Sequence, residues 1–343
     1  MPFRNISDFG INVGTMPKGK HNSICDVEGV KVGHCTVEDE NHHTGVTVIM
    51  PSEKNPFVYK LPAACTVFNG FGKTAGTIQI EELGTLETPI ALTNTLNVGI
   101  VHDAIVDYMV TRCEEEGEEL RSVNPVVCEC NDSHLNKISD RAVKKEHIFE
   151  AIEDASDIFE MGAIGAGRGM VCHGLKGGIG SSSRIINIKK KSYTLGVLVL
   201  TNHGRLDRLL VDGMNIGKDI AEKIKGNEQD KGSCIIIMAT DAPLDSRQIK
   251  RVLNRACIGL GRLGSYMGHG SGEVAIGFST ANEIDSHSDK VTRKIKIFNE
   301  DYIDDVFIAM SEATEEAILR SMINAEKMTG YGGNTVHSLT EFL

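Results

Sequence analysis

The sequence predicts a layered α/β fold. Short β-rich runs alternate with amphipathic helical segments along the chain, and several runs, Ile235-Ile236-Ile237 and Val197-Leu198-Val199-Leu200 among them, are apolar at every position. A strand with one wet face alternates polar and apolar residues; a strand apolar throughout is covered on both faces, which calls for stacked layers. The composition agrees: 41% of the 343 residues are hydrophobic, 24% are charged and 36 are glycine, a globular balance that excludes global disorder.

In chain order, strands are expected where β-branched and apolar residues cluster between turn signals, at 30–36, 46–50, 64–68, 89–92, 126–130, 195–200, 234–239, 273–279 and 294–298. Helices are expected at 102–115, 146–159, 206–224, 246–263 and 303–328. The segment 246–263 shows the helix signals best. Asp245 and Gln248 have the spacing of a capping box, and Ile249, Val252, Leu253, Ala256 and Leu260 form one stripe before Gly261 and Gly264 offer a stop. The polar run KGNEQDKGS at 225–233 has no apolar anchor and reads as an exposed loop leading into a buried strand.

Charge and cysteine usage narrow the function classes. Acidic residues outnumber basic ones 47 to 36, for a net charge of -11, so the chain lacks the positive field that nucleic acid partners require. The nine cysteines include no C-x-x-C pair. They read as reduced thiols rather than a disulfide framework or a zinc knuckle, with Cys128 and Cys130 on one strand face. The twelve histidines show no H-E-x-x-H or comparable spacing, so neither a metal nor an organic cofactor is expected. The N-terminus has no apolar core of signal-peptide type, and the longest apolar runs are far too short to span a bilayer. The expectation is a cytoplasmic protein without a membrane partner.

Four constellations offer chemistry. Gly232-Ser233 stands at the start of an apolar strand. Glycine permits backbone conformations closed to other residues, so the serine hydroxyl can approach the preceding carbonyl. An N-to-O acyl shift and hydrolysis would free Ser233 as a new N-terminus, whose α-amine, with a reference pKa of about 7.7–8.0, can act as base for its own hydroxyl. The same letters also spell a turn entering a strand. Cys234 points to the opposite strand face from Ser233. In Gly268-His269-Gly270-Ser271-Gly272-Glu273, Ser271 and Glu273 are two apart and share a face if extended, where they can hold a nucleophile or an amino group; taken alone, the run reads more readily as a glycine-rich turn before a strand, with Glu273 solvated. Glu129 lies inside the apolar run PVVCEC, just before Asn131. A carboxylate facing a cleft anchors a cationic amine, while one on an open strand face does nothing. Asn202 ends a strand, where its amide can donate to an oxyanion or simply make a turn.

Two motifs fail on inspection. Gly72-Lys73-Thr74 lacks the earlier glycine of a phosphate-binding loop, since position 67 is Val. The glycine-dense stretch 162–180 has no G-x-G-x-x-G after a strand and reads as close backbone packing around a cleft.

Six stretches, taken in order, carry a resemblance: 23–34, NGFGKTAGTIQIEELGTLETPIALTNTL at 69–96, GAGRGMVCHGLKGGIGSSSR at 165–184, GSCIIIMATDAPL at 232–244, GHGSGEVAIGFSTAN at 268–282 and EATEEAILRSMINAEKMTG at 312–330. The chain resembles, over nearly its whole length, the DmpA-type aminopeptidases, which include L-aminopeptidase/D-esterases and β-peptidyl aminopeptidases. The resemblance implies one domain with a four-layer α-β-β-α sandwich of the DmpA/ornithine-acetyltransferase type. It implies self-cleavage between Gly232 and Ser233 into residues 1–232 and 233–343, which stay together, usually in a homotetramer. It implies Ser233 as nucleophile, Asn202 as an oxyanion contact, Ser271 and Glu273 as supports of the nucleophile, and Glu129 as the anchor of the substrate's free amine. Some members carry Tyr where this chain has Asn131, a shorter donor on the substrate side of the site. The expected substrates are small peptides or aminoacyl amides and esters. An acyl transferase resembling the ornithine acetyltransferases, which use Thr as nucleophile, and an uncut silent homologue are the alternatives.

Overall fold

The computed structural model of the chain describes residues 4–224 and 232–343; most of the polar loop expected at 225–233 lies outside them. The strands, in chain order, are β1 Lys31–Glu38, β2 His43–Met50, β3 Tyr59–Gly70, β4 Thr85–Leu86, β5 Ile90–Asn94, β6 Val126–Cys130, β7 Val171–Cys172, β8 Leu175–Lys176, β9 Ile179–Ile188, β10 Lys191–Asn202, β11 Ser233–Thr240, β12 Gly272–Ser279, β13 Ile284–Asp285, β14 Met328–Thr329 and β15 Thr335–Val336. The helices are α1 Thr77–Leu83, α2 Val98–Glu116, α3 Lys145–Glu153, α4 Ile216–Ile224, α5 Ser246–Leu253, α6 Ala256–Arg262 and α7 Ile303–Ile323.

Two sheets stack face to face. The smaller runs β1-β2-β5-β6 and the larger β13-β3-β12-β11-β10-β9, with β4 beside β3. Strand alternation sorts the core into three layers of side chains. Ile235, Ile237 and Ala239 of β11 meet Val126, Cys128 and Cys130 of β6 between the sheets. Cys234, Ile236 and Met238 face the other way, onto Ile249 and Val252 of α5 and Ala313 and Ala317 of α7. On the far side Val46, Val48, Ala91 and Val127 pack on Val101, Ile105 and Met109 of α2 and Ile148 of α3. Helix, sheet, sheet, helix is the α-β-β-α sandwich expected, and the all-apolar strands are those covered on both faces.

Local departures have local causes. The expected helix at 206–224 is only a one-turn 3-10 helix, Leu206–Arg208, followed by α4. Asp212 and Gly213 between them both adopt left-handed backbone, at φ 51° and 72°. They turn the chain so that Val211 and Met214 exchange hydrogen bonds of 2.9 and 3.0 Å, the behaviour of an Asp-Gly hairpin turn. The helix at 246–263 starts on its Asp245–Gln248 capping box but breaks at Asn254 and Arg255 into α5 and α6. The break seats Gly259 against α7, where a Cβ would stand 2.8 Å from the Ser311 carbonyl. The helix at 146–159 stops at Glu153, and Phe159 turns into the core between the sheets. The helix at 303–328 ends at Ile323. No strand forms at 294–298; the backbone of Lys296 bonds instead to both ends of the Asn282 amide, at 2.9 and 3.0 Å.

The polar strand β9 has no hydropathy signal, because Ser181, Ser182, Ser183 and Arg184 are all fully buried. Each finds a partner. The Ser181 hydroxyl donates to Val197 O at 2.6 Å, and that of Ser183 to Asp26 at 2.6 Å. Arg184 meets Glu312 at 2.9 Å and Glu316 at 2.8 Å. Arg184→Met should therefore take the buried cation from two buried carboxylates, leaving Lys18 and the Asn22 amide on Glu316 and only the Thr15 and Met16 N–H groups on Glu312. The expected cost is about 3–5 kcal/mol, read as a Tm lower by on the order of 10 °C in a thermal melt. An unchanged Tm would contradict this account of the pair.

Candidate active site

The residues singled out from sequence converge where β10 ends and β11 and β12 begin. Asn202 stands opposite Ser233 in the antiparallel β10–β11 pair, and Gly272 stands beside Ser233 in the parallel β11–β12 pair. Ser233 has the parity of Ile235 and Ile237 and so faces the smaller sheet. Cys234 is in the helix-side core, where burial pushes its thiol well above the ordinary range. A thiol held protonated is a poor rival to the serine.

Two close approaches define the Gly232–Ser233 junction. A Cβ on Gly232 would lie 1.5 Å from the carbonyl oxygen of Asn202, so only glycine fits there. The Gly272 N–H donates both to the Ser233 hydroxyl, at 3.3 Å, and to the Gly232 carbonyl, at 3.3 Å. One donor thus touches both the hydroxyl and the carbonyl oxygen of the bond before it. Ser271 and Glu273 flank Gly272. The Ser271 hydroxyl donates to the Glu273 carboxylate, and both residues are fully buried. The Asn69 amide holds the loop in place through the Gly268 carbonyl at 2.6 Å.

Asn202 is fixed from two sides. Its Oδ1 accepts from the Val171 N–H at 2.9 Å, and its Nδ2 donates to the Asn131 carbonyl at 2.9 Å. These contacts set which end of the amide is nitrogen, and they use one of its two N–H groups. Asn131 meets Asn202 through its backbone; its side-chain Oδ1 accepts from Ser133 N at 3.0 Å and is exposed.

Glu129, only 2% exposed, is the penultimate residue of β6 in the smaller sheet. Its carboxylate accepts from the Lys73 N–H at 3.0 Å and from the Thr95 hydroxyl. Residues 71–73 connect this carboxylate to the serine. A Cβ on Gly272 would be 2.8 Å from Phe71 O, and one on Gly72 would be 3.8 Å from Glu129 Oε1. The sheets also touch directly at this end, where the Cys130 thiol donates to the Ser233 carbonyl at 3.4 Å. Gly72-Lys73-Thr74, dismissed as a phosphate loop, is therefore a wall of the site. Lys73, Thr95 and Val171 were not foreseen, since two of them act through backbone N–H groups that every residue carries.

Beside Asn202 the fold also gathers Cys172, His173 and His203, whose ligand-type atoms all lie within 4.8 Å of one another. All three are buried, and burial holds His203 well below the ordinary histidine range. The expectation of no metal rested on spacing along the chain, to which this juxtaposition is invisible.

The model of peptidase family S58 matches residues 22–336. The chain belongs to peptidase family S58. A β-peptidyl aminopeptidase, BapA of Sphingosinicella xenopeptidilytica, is 36% identical, the match covering 97% of this chain and 88% of the relative. Among solved structures, the PH0078 protein of Pyrococcus horikoshii OT3 superposes with a TM-score of 0.92 at 44% identity, over 98% of this chain and 96% of that one. The L-aminopeptidase D-Ala-esterase/amidase of Ochrobactrum anthropi, described as a prototype for the serine aminopeptidases and a variant of the Ntn hydrolase fold, superposes at 0.91 and 32% identity, over 99% and 96%. Both the fold and the DmpA-type resemblance expected from sequence are thereby borne out. As an S58 member the chain is a hydrolase, a serine aminopeptidase. Among the described residues no helix is long and apolar enough to cross a membrane.

Proposed function

We propose that this S58 chain is made as a precursor, cuts itself between Gly232 and Ser233, and then removes N-terminal residues from small peptides, amides and esters that bear a free amine. The observation carrying the first step is the shared Gly272 N–H. It supports a path in which the Ser233 oxygen attacks the Gly232 carbonyl while that amide steadies the developing oxyanion. The C–N bond breaks as the ester forms, the nitrogen takes a proton, and water hydrolyses the ester. The products are a chain ending at Gly232 and a chain of 343 − 232 = 111 residues beginning at Ser233.

In the processed enzyme the Ser233 α-amine serves as base for the Ser233 hydroxyl, and Ser271 and Glu273 orient that amine. Glu129 binds the substrate ammonium, which places the first carbonyl against Ser233. Asn202 donates its second N–H to the tetrahedral oxyanion, and a donor of this kind is worth about 3–4 kcal/mol. Asn131 lines the leaving side. Each step uses groups of the chain itself and water. The nine cysteines, none of them in a disulfide, support a cytoplasmic setting, and a homotetramer of cleaved protomers is part of this reading.

Two measurements test it together. Intact-mass analysis of purified protein should return two chains, 1–232 and 233–343. A panel of peptides with free and acetylated N-termini should show turnover of the free forms and little or none of the acetylated ones. One intact mass from active protein, or equal turnover of both forms, would overturn the proposal.

A further inference from the structure

The amide that faces the oxyanion is wired to a buried cation. Lys176 is fully buried, and its ammonium donates to the carbonyls of Met170 at 2.7 Å, Gly177 at 2.8 Å and Gly167 at 3.3 Å. Lys176 stands directly opposite Val171 in the β7–β8 ribbon. The Met170 carbonyl and the Val171 N–H are the two ends of one peptide plane. At one end of that plane sits the Lys176 ammonium, and at the other, 2.9 Å from the Val171 nitrogen, sits Asn202 Oδ1.

We propose that Lys176 is a positioning residue for Asn202, acting through the Met170–Val171 peptide as a charged hydrogen-bond relay. The order is ammonium, Met170 C=O, Val171 N–H, Asn202 C=O, and then the Asn202 N–H aimed at the substrate. Hydrogen bonds in series polarise one another, and more so in a low-dielectric interior. A positive charge at the head therefore makes the last N–H a better donor, and the rigid ribbon keeps it aimed. No carboxylate touches the Lys176 nitrogen among its hydrogen-bond partners. Burial, with Arg168 nearby, lowers its pKa to about 7. The ammonium is thus held by three backbone carbonyls with no counter-charge bonded to it among the described residues, so its charge bears directly on the Met170–Val171 peptide.

The inference rests on the reading of Asn202 as an oxyanion donor, and a double-mutant cycle separates the two. Lys176→Met in the wild-type background should lower kcat about 10-fold and leave KM within about twofold, the signature of an interaction made in the transition state. In an Asn202→Ala background the same substitution should change kcat little, since the relay then has no end. Equal losses in both backgrounds, or no loss in either, would overturn the inference. If Asn202→Ala alone keeps full kcat, it is the assignment of Asn202 that falls. Should Lys176→Met not fold, Lys176→Gln, which keeps N–H donors without the charge, carries the same comparison.

Discussion

Ser233→Ala is expected to yield a single uncut chain of 37.2 kDa with peptide hydrolysis reduced by about 10⁴-fold or more, the scale on which hydrolases lose rate with their nucleophile. The substitution is mild for the fold. Ser233 is 5% exposed, its hydroxyl accepts one bond among the described residues, from Gly272 N at 3.3 Å, and that donor keeps the Gly232 carbonyl as a partner. Thermal melting should therefore be near that of the wild-type precursor, which separates loss of chemistry from loss of structure. Processing and hydrolysis must fail together, because both use the same oxygen. An uncleaved variant that still turns over aminoacyl p-nitroanilides at the wild-type rate would refute Ser233 as nucleophile, and a cleaved one would refute the self-cutting step.

The parts of the molecule legible in the sequence are those where side-chain hydropathy decides the structure. The run from Cys234 to Ala239 is apolar at every position and forms the middle of the larger sheet, buried on both faces. Its parity alone separates Ser233, which looks toward the smaller sheet, from Cys234, which looks toward the helices. The Val126–Cys130 strand was legible for the same reason. Strand β9 was not. Its serines and Arg184 are buried because partners in distant segments satisfy them, and a residue read alone does not reveal a partner 128 positions away, as Glu312 is from Arg184. The helix expected at 206–224 is interrupted for a different reason: Asp212-Gly213 carries a turn signal that the apolar periodicity around it obscures.

The site divides along the same line. Ser233, Asn202, Glu129, Ser271 and Glu273 are side chains whose chemistry is specific enough to be noticed. What holds them is largely backbone: the N–H groups of Gly272, Lys73 and Val171 and the carbonyl of Asn131. Sequence specifies these only through the conformation it imposes. Gly232 is the exception. Its missing Cβ is itself the signal, since the Asn202 carbonyl occupies the place where a side chain would begin.

Glu129→Gln tests the other end of the cleft and should separate substrate recognition from processing. The carboxylate is nearly sealed from water and already accepts bonds from Lys73 N and Thr95 Oγ1, so a bound ammonium completes its shell in a poorly screened setting. Removing one member of such a pair typically costs about 2–5 kcal/mol. The amide is isosteric but neutral, and its NH₂ end cannot accept from either donor. The expected result is a fall in kcat/KM of about 100-fold or more for free-amine peptides. The already low rate on acetylated peptides should be unchanged, so the preference between the two should collapse. Self-cleavage should proceed normally, because the bond between Gly232 and Ser233 presents no free amine for Glu129 to hold. A variant that is fully processed yet hydrolyses free-amine peptides with wild-type kcat/KM would remove Glu129 from the amine site. A variant that fails to process would give the residue a part in building the precursor's cleft, beyond binding substrate within it.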